Sequence, residues 1–232
     1  MIRPTTRWVV HPPVAHDPGT GRWDGEIPKW LAQLRRFRAE VLFADGLRPG
    51  YRANGAFRDD DPCDPFAYHI VALTDGALTA TLRIVPLGET STGVCERLLG
   101  TDSVEKALAD LGLDRTKACE GSGWAVHAKR RRLGLGVRSL AAASAVTRAL
   151  GLRVMLGAVG VHYGALNRVL SAGIQRVPGF PPVEVPALAD EVQLVHMTFG
   201  NLRPSFRARV ERLAELLQWD ERSSERVNEL TS

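Results

Sequence analysis

The stretch that decides the fold is 119–151, which reads CEGSGWAVHAKRRRLGLGVRSLAAASAVTRALG. Residues 119–127 are typical of a β-strand, and apolar residues recur at helical spacing over 137–150 until Gly151 closes the helix. A basic loop that contains two glycines connects the two elements. Residues 119–151 therefore predict a strand, a basic glycine-containing loop and a helix in direct succession.

This loop has the features of an anion cradle. A helix N-terminus presents unpaired backbone N–H groups and about half a positive charge. Gly134 and Gly136 let an anion approach the backbone closely, and four consecutive cations over 129–132 attract it from a distance. The loop lacks both the Walker Gly-Lys-Ser/Thr and the glycine spacing of the dinucleotide fingerprint. It therefore predicts a different phosphate-binding loop, with a glycine turn beside a solvated charge run as the alternative.

The segments around the cradle predict a single mixed α/β domain, because helical and strand patterns alternate without an internal repeat or linker. Residues 1–27 predict an irregular arm with one short strand over 8–10, and residues 28–232 predict the domain itself. The predicted helices cover 28–46, 102–112, 137–150, 163–172 and 204–219. The predicted strands cover 69–73, 77–85, 119–127, 153–161 and 192–199.

Composition indicates a soluble globular protein, since 44% of the 232 residues are hydrophobic and 24% are charged. No apolar run reaches the roughly 18 residues that a membrane span needs, and the N-terminus lacks the apolar core of a signal peptide. The three cysteines, Cys63, Cys95 and Cys119, are an odd number without metal-type spacing. We therefore expect a cytoplasmic protein without a metal site.

The basic charge balance fits either an anionic partner or, as the alternative, a general use of arginine in place of lysine across the surface. Lys and Arg number 30 against 26 for Asp and Glu, and the formal net charge is +4. The cationic run at 129–132 fits nucleic acid as well as a phosphorylated small molecule. However, no recognisable DNA-binding module accompanies the run, and acidic residues are spread through the chain. Nucleic-acid binding is therefore kept as an alternative, and we expect no nucleic-acid partner.

The cradle resembles the acyl-CoA pyrophosphate loop, Gln/Arg-x-x-Gly-x-Gly/Ala, of the GNAT superfamily of N-acyltransferases. Arg131, Gly134 and Gly136 carry this resemblance. The strand before the cradle, Glu-Gly-Ser-Gly-Trp-Ala-Val at 120–126, is similar to the Glu-x-Ser-Arg-aromatic-x-Val strand of one branch. That branch contains the acyl-homoserine lactone synthases and the long-chain N-acyl amino acid synthases.

Three further segments resemble the same branch and occur in the same order along the chain. Residues 37–41 look like its Arg-x-Glu-Val segment, and residues 61–72 look like its acidic loop and following strand. Residues 81–86 look like its Arg-Leu-x-Pro ending. An ordered set of matches over 30–180 is more specific than any single motif.

The resemblance implies the GNAT fold, a central, mostly antiparallel twisted sheet with helices on both faces. It implies an N-acyltransferase that moves an acyl group, in this branch a fatty acyl group, to a primary amine such as an amino acid. The donor would be acyl-CoA or an acyl carrier protein (acyl-ACP), each a phosphopantetheine thioester, without a metal. Gly123 stands where the branch has arginine, whereas the loop at 131–136, which the lactone synthases generally lack, is kept. The alternatives are an autoinducer synthase that uses S-adenosylmethionine and a non-catalytic acyl-thioester sensor.

Glu120 is the candidate catalytic base. An amine that attacks a thioester must lose a proton, and a carboxylate can accept it if burial raises its pKa. The alternative is a salt-bridged surface glutamate at the start of a strand. The resemblance further implies that backbone groups of Trp124, Ala125 and Val126 polarise the thioester carbonyl.

The remaining candidate residues bind the two substrates. Arg38 and Arg83 are candidates for the acceptor carboxylate because a guanidinium binds it in a bidentate manner. Structural pairing with the acidic cluster at 59–64 is the favoured alternative for both arginines. Ser122 is a substrate contact by its place in the motif. The residues implied to hold the donor phosphate are Arg131, Arg132, Leu133, Gly134, Leu135 and Gly136.

Overall fold

The structure of this chain is a computed structural model, and it describes residues 5–14, 25–89, 92–162 and 164–220. Over these residues the strands are β1 (Thr6–His11), β2 (Arg52–Ala53), β3 (Ala56–Phe57), β4 (Tyr68–Thr74), β5 (Ala77–Pro86), β6 (Ala118–Val126), β7 (Val154–Gly160), β8 (Gln175–Arg176), β9 (Val183–Val185), β10 (Asp190–Thr198) and β11 (Leu217–Trp219). The helices are α1 (Lys29–Ala44), α2 (Val94–Leu99), α3 (Thr101–Asp110), α4 (Leu135–Ala149), α5 (Ala165–Ser171) and α6 (Pro204–Ala214).

Nine of the described strands form one sheet. Eight of them follow the order β11-β1-β4-β5-β6-β7-β10-β8, and the ninth, β9, pairs with residues 190–192 at the start of β10. Only the β1–β11 and β6–β7 pairs of this sheet are parallel. The remaining pairs are antiparallel. The mostly antiparallel sheet implied by the resemblance is therefore confirmed.

Helices cover both faces of the sheet, because successive side chains of a strand point to opposite sides. On β4, Ile70 belongs to the main core beneath α4 and α6, whereas Val71 packs against Leu31 and Leu34 of α1. On β7, Leu156 faces the smaller core beneath α2 and α3. The mixed α/β architecture with helices on both faces is confirmed.

Helix α4 lies unusually deep in the main core. Ala141, Ala142 and Ala143 are fully buried, and Ser144 and Thr147 are buried as well. The two hydroxyls donate to the main-chain oxygens of residues 140 and 143, which satisfies them without an external partner. Small side chains therefore let α4 approach the sheet closely, and its N-terminus is held beside the end of β6.

The two ends of the described chain meet at one edge of the sheet. The strand predicted over 8–10 is present as β1, and it lies within the sheet between β11 and β4. The helix predicted to continue to residue 219 ends at Ala214, so that prediction was wrong for the last turn. Leu217–Trp219 instead pairs with β1 in parallel, because main-chain pairing along an open sheet edge outweighs a helical pattern of apolar residues.

Within the described ranges, no helix combines the length and the hydrophobicity that crossing a membrane requires.

Candidate functional site

The site is created by a split in the sheet between β6 and β7. The two parallel strands pair at only three positions, Ala118↔Val154, Cys119↔Met155 and Glu120↔Leu156. Beyond Glu120 the β7-facing edge of β6 has no strand partner among the described residues. Unpaired N–H and C=O groups along such an edge need another partner, such as a bound ligand.

A cavity of about 310 Å³ passes through this split, and we call it the through-sheet cavity. Its wall on the α1 and α2 side holds most of the polar side chains, among them Tyr51, Asp61 and Arg83, beside apolar ones such as Val94 and Leu98, and we call it the polar wall. Its wall on the α4 and α5 side is apolar and consists mainly of Leu140, Met155, Val169, Ile174 and Val195. A ligand with a polar head and an aliphatic chain matches this division.

A second cavity of about 340 Å³, the helix-end cavity, lies between the end of β6 and the N-terminus of α4. Trp124, Ala125 and Val126 of β6 line it together with Gly134 and Gly136. The residues that line both cavities are Leu42, Leu47, Trp124 and Ala165. The two cavities therefore adjoin at Trp124.

The predicted cradle is present, but its free amides lie further along the chain than predicted. Residues Ala128–Leu133 form a short 3₁₀ helix, and the Gly134 N–H donates to the Arg131 carbonyl oxygen at 3.1 Å. Gly134 has φ +71°, a left-handed conformation that favours glycine, and α4 begins directly after it without a side-chain cap. The free donors are therefore the first amides of α4, those of residues 135–137.

The predicted cradle residues differ in their placement. Arg131 is fixed at the rim: its Nε donates to the Val126 carbonyl oxygen at 3.1 Å, and its Nη2 donates to Asp45. Leu135 is buried in the core. Arg132 and Leu133 are exposed and do not line the helix-end cavity. The rim arginine and the two glycines are thus brought to the cavity, while the other three cradle residues are not.

Trp124 is held rigidly at the junction of the two cavities. Its indole Nε1 donates to Ser139 Oγ on α4 at 2.9 Å. A methyl group on Gly136 would lie 3.3 Å from Trp124 Cζ2, a tight contact that the indole could accept only by shifting slightly, so this packing favours glycine at 136. The indole therefore fixes the distance between β6 and the start of α4.

Glu120 is fully buried behind the polar wall of the through-sheet cavity. Its Oε2 accepts from the Cys95 N–H at 2.6 Å, and its Oε1 has no hydrogen-bond partner among the described residues. Burial raises its pKa, against the opposing effects of the Cys95 N–H and of Arg83. Glu120 does not itself line the cavity, but the next residue along the strand, Gly121, does.

Arg38 and two aspartates form a buried ion cluster against Gly123 of β6. Arg38 is fully buried, and its Nε donates to Asp59 at 2.6 Å. Its two terminal nitrogens donate to Asp64 at 2.8 and 2.6 Å. Burial alone would raise the pKa of Asp64, but Arg83 and Arg38 hold it well below its usual range. The structural pairing favoured for Arg38 is therefore confirmed.

Arg83 continues the same cluster toward the cavity. It donates to Asp64 and to Asp61 at 2.5 Å each, and its Nε donates to Ser122 Oγ at 2.8 Å. Burial opposes the effect of Arg83 and Arg97 on Asp61, yet the two arginines lower the pKa of Asp61 to about 2. Structural pairing is confirmed for Arg83 as well. Both it and Ser122 still line the cavity, although their side chains are bonded to each other.

The backbone conformation and the surroundings of residue 123 disfavour an arginine at this position of β6. Its φ is +61°, and a β-carbon there would lie 3.3 Å from Arg38 Nη1 and 3.5 Å from Arg83 Cδ. The register of β5 and β6 shifts at this point, between Thr81 and Arg83. A side chain at 123 would therefore meet both an unfavourable backbone conformation and the buried ion cluster.

Two residues at the cavity mouth were not found by sequence reasoning. Arg48 directly precedes a short 3₁₀ turn, Pro49–Tyr51, and Tyr51 ends it; both line the polar wall. The signal that could have found them is an arginine and a tyrosine three residues apart directly after the first helix.

The ion cluster predicts a loss of stability in acid. A carboxylate whose folded-state pKa is lowered stabilises the fold above its ordinary value of about 3.9, and the stabilisation disappears as pH falls toward the folded value. For Asp61 that window runs from about pH 4 down to about pH 2.

We expect the free energy of unfolding to fall by about 2 kcal/mol more in the parent protein than in Asp61→Asn over this window. Urea unfolding at pH 4, 3 and 2 measures the difference. Parallel pH dependences of the two proteins would contradict the assignment.

No protein-family model and no curated protein matches this chain. Among solved structures, the CoA-dependent acyl-homoserine lactone synthase BjaI, solved with SAM and isopentyl-CoA, is similar with a TM-score of 0.65. The two chains are 14% identical, and the match covers 93% of this chain and 94% of BjaI.

Two further structures show the same likeness. TofI, solved in a ternary complex with an inhibitor and MTA, has a TM-score of 0.57 at 17% identity, covering 88% of this chain and 96% of TofI. FeeM, an N-acyl amino acid synthase from uncultured soil microbes, has a TM-score of 0.50 at 12% identity, covering 89% and 94%. At these identities the likeness shows a shared fold. The chain therefore has the GNAT-like fold of these synthases, which confirms at the level of fold the resemblance that the sequence indicated.

Proposed function

We propose that this chain is an N-acyltransferase that moves a fatty acyl group from an acyl-CoA or acyl-ACP thioester to a primary amine. The observation that carries the proposal is the pair of cavities that adjoin at Trp124. One cavity offers free helix amides to phosphate, and the other offers an apolar wall to an acyl chain. The fold shared with acyl-transferring synthases supports the same chemistry.

The donor binds across the junction. Its phosphate lies at the first amides of α4, where the helix dipole favours negative charge, and Arg131 closes the rim. The pantetheine arm follows the unpaired edge of β6 past Trp124, and the acyl chain enters the apolar part of the through-sheet cavity. The thioester carbonyl then lies beside the backbone of Trp124–Val126, where the N–H groups on the open edge of β6 stabilise the oxyanion.

The reaction needs a base on the polar side of the split. The amine nitrogen attacks the carbonyl carbon, the C–N bond forms and the C–S bond breaks. Glu120 accepts the amine proton, directly or through one water, and passes it to the departing thiolate, so that the thiol leaves and Glu120 is ionised again. Glu120 suits this role because its pKa is raised and one oxygen is unpartnered, whereas Asp61 is held ionised by two arginines.

The test is direct. Purified protein is incubated with dodecanoyl-CoA or dodecanoyl-ACP and a panel of primary amines, and thiol release and N-acyl products are measured. Thiol release that depends on the amine, with an amide product of the expected mass, supports the proposal. Thiol release no faster than without protein, across the whole panel, overturns it.

The cationic run predicts how an acidic carrier protein docks. Arg131 is bonded within the rim. Arg132 is exposed, and Arg130 makes only a long ion pair with the exposed Asp75, at 3.8 Å, so both can act on a partner at long range. We expect the double variant Arg130→Gln/Arg132→Gln to raise the KM for dodecanoyl-ACP about tenfold at 50 mM salt and about twofold at 500 mM salt.

The control for this prediction neutralises Arg36 and Arg212, which are exposed on α1 and α6 and line neither cavity. That double variant leaves the KM unchanged at both salt concentrations. An increase in KM for Arg130→Gln/Arg132→Gln that does not depend on salt would contradict electrostatic docking.

An autoinducer synthase is the second candidate. BjaI, which was solved with SAM and isopentyl-CoA, and TofI are acyl-homoserine lactone synthases by their descriptions, and both share this fold. Incubation with S-adenosylmethionine and the same donors, followed by mass spectrometry for an acyl lactone, distinguishes the two. We rank acyl transfer to a primary amine first, because the loop at 131–136 before α4 is kept in this chain, whereas the lactone synthases generally lack it. A cytoplasmic location is part of the proposal, and three free, buried cysteines support it.

A further inference from the structure

Asp190, the first residue of β10, is a buried carboxylate that lines the through-sheet cavity on its β7 side. A β-carbon on Gly160 of β7 would overlap Asp190 Oδ2, so glycine at 160 makes room for the carboxylate. Leu194, four residues further along β10, faces the core beneath α2 and α3, and side chains alternate along a strand. Asp190 therefore lies on the same side of the sheet as Glu120, whose carboxylate accepts from an amide of α2.

His162 connects this carboxylate to solvent. Its Nδ1 lies 2.6 Å from Asp190 Oδ1, and its main-chain N–H donates to the same oxygen at 3.2 Å. The imidazole side chain is 60% exposed, whereas that of Asp190 is 4% exposed. When Nδ1 carries the proton toward the carboxylate, Nε2 of the neutral ring is a proton acceptor. The pair therefore leads from the lining of the cavity to bulk solvent.

The other carboxylates of the cavity lining already have cationic partners. Asp59 and Asp61 line the cavity, and each pairs with a buried arginine. Among the described ion pairs, Asp190 occurs in one, with His162, and that ring is uncharged while Nε2 carries no proton. Asp190 therefore keeps its negative charge for a cation in the cavity, whereas the charges of the two other aspartates are neutralised.

A primary amine reaches the cavity with one proton too many. Its ordinary pKa is about 8 for an α-amino group and about 10 for an alkylamine, so it arrives as an ammonium ion at pH 7. An ammonium nitrogen has no lone pair and cannot attack a carbonyl. Because Glu120 passes the proton that it takes during attack to the thiolate, the first proton has to leave the cavity. The ammonium and the thioester then give an amide, a thiol and one proton released to solvent.

We propose that Asp190 and His162 deprotonate the acceptor ammonium and pass its proton to solvent. The inference rests on the proposed function and adds the step that precedes attack. The ammonium lies at Asp190 Oδ2. One of its N–H bonds breaks, and the proton moves through one water to Nε2 of His162, while the Nδ1–H stays on the carboxylate and stabilises the imidazolium. The imidazolium gives the proton to buffer, and the amine lone pair faces the thioester beside Trp124, across the split.

The first experiment compares an amine with its aminooxy analogue, in which an oxygen replaces the CH₂ next to the nitrogen. The analogue is neutral at pH 7 and has no first proton to lose. His162→Asn keeps an N–H donor near the position of Nδ1 but cannot take up a proton. With dodecanoyl-CoA as donor, we expect this variant to lower kcat/KM for the amine by at least about tenfold and to leave that for the analogue within about twofold of the parent value.

A rescue measurement separates proton transfer from a structural role. Imidazole added in solution accepts the proton in place of the missing side chain, so it should restore the rate of His162→Asn with the amine and leave the parent rate unchanged. A structural defect would slow both acceptors and would not respond to imidazole. An equal loss with both acceptors, or a loss that imidazole does not relieve, overturns the proposal.

His11→Asn is the matched control. His11 also pairs with an aspartate, Asp220, at 3.3 Å, but neither residue lines a cavity described above. We expect this variant to keep the parent rates with both acceptors. If the parent protein transfers the acyl group and His162→Asn does so at the same rate with the amine, the proton-transfer pair alone is overturned. If the parent protein acylates neither kind of acceptor, the proposed function fails as well.

Discussion

Glu120→Gln is expected to lower kcat for acyl transfer by about 10²- to 10⁴-fold, the usual contribution of a positioned general base, with the KM for the donor unchanged. The amide oxygen can still accept from the Cys95 N–H, so the packing around residue 120 is preserved. Steady-state rates with dodecanoyl-CoA and an acceptor that the parent protein uses measure the effect.

The pH dependence identifies the reason for that loss. A base works only when deprotonated, and burial raises the pKa of Glu120, so activity of the parent protein falls as pH drops through this raised value. The residual activity of Glu120→Gln does not show this decrease at low pH. A raised folded-state pKa also means that the stability contributed by Glu120 is lost as pH rises, so the variant is at least as stable as the parent at pH 8.

Glu105→Gln is the control for Glu120→Gln. Glu105 is a half-exposed glutamate on α3 whose partner is Arg115, and it lines neither cavity. The Glu105→Gln variant is expected to keep full activity. A kcat of Glu120→Gln within threefold of the parent value would show that another group accepts the proton.

Asp64→Asn is expected to reduce the free energy of unfolding by about 3–5 kcal/mol, because it leaves two buried guanidinium groups without their shared anion. Asp64 is fully buried and bonded to Arg35, Arg38 and Arg83. Urea unfolding at pH 7 measures the change. If Asp64→Asn does not fold at 25 °C, the loss exceeds the total stability of the protein, which supports the same conclusion.

Asp60→Asn is the matched control, because Asp60 is an exposed aspartate in the same loop, 3.7 Å from Arg35. Its neutralisation changes the free energy of unfolding by no more than about 0.5 kcal/mol. A loss below about 1 kcal/mol for Asp64→Asn would show that the cluster does not hold α1 and the acidic loop against the sheet.

Local patterns were sufficient to predict most elements of the fold. The hairpin of β4 and β5, the strand–cradle–helix unit and the helix after Pro28 follow from apolar periodicity and from turn and cap residues close to them in sequence. The last turn of the final predicted helix was wrong, because the partner of Leu217–Trp219 is β1, some 200 residues away.

The site was less predictable, since it depends on contacts that join distant segments. Sequence brought out Glu120 and the cradle, but not the pairing that ends after Glu120 and opens the cavity between β6 and β7. Nor could it show that the amides over 131–134 belong to a 3₁₀ turn and that the free ones start at 135. Arg48 belongs to no sequence motif, and only the fold places it on the cavity wall.

The proposed function requires one binding geometry, in which a phosphorylated thioester lies at the start of α4 and extends its acyl chain between β6 and β7. A crystal structure with dodecyl-CoA, the non-hydrolysable thioether of the donor, tests it most directly. The predicted result places the pyrophosphate within hydrogen-bond distance of the amides of residues 135–137 and the alkyl chain against Leu140 and Val195. A nucleotide bound elsewhere, with the gap between the two strands empty, would contradict it.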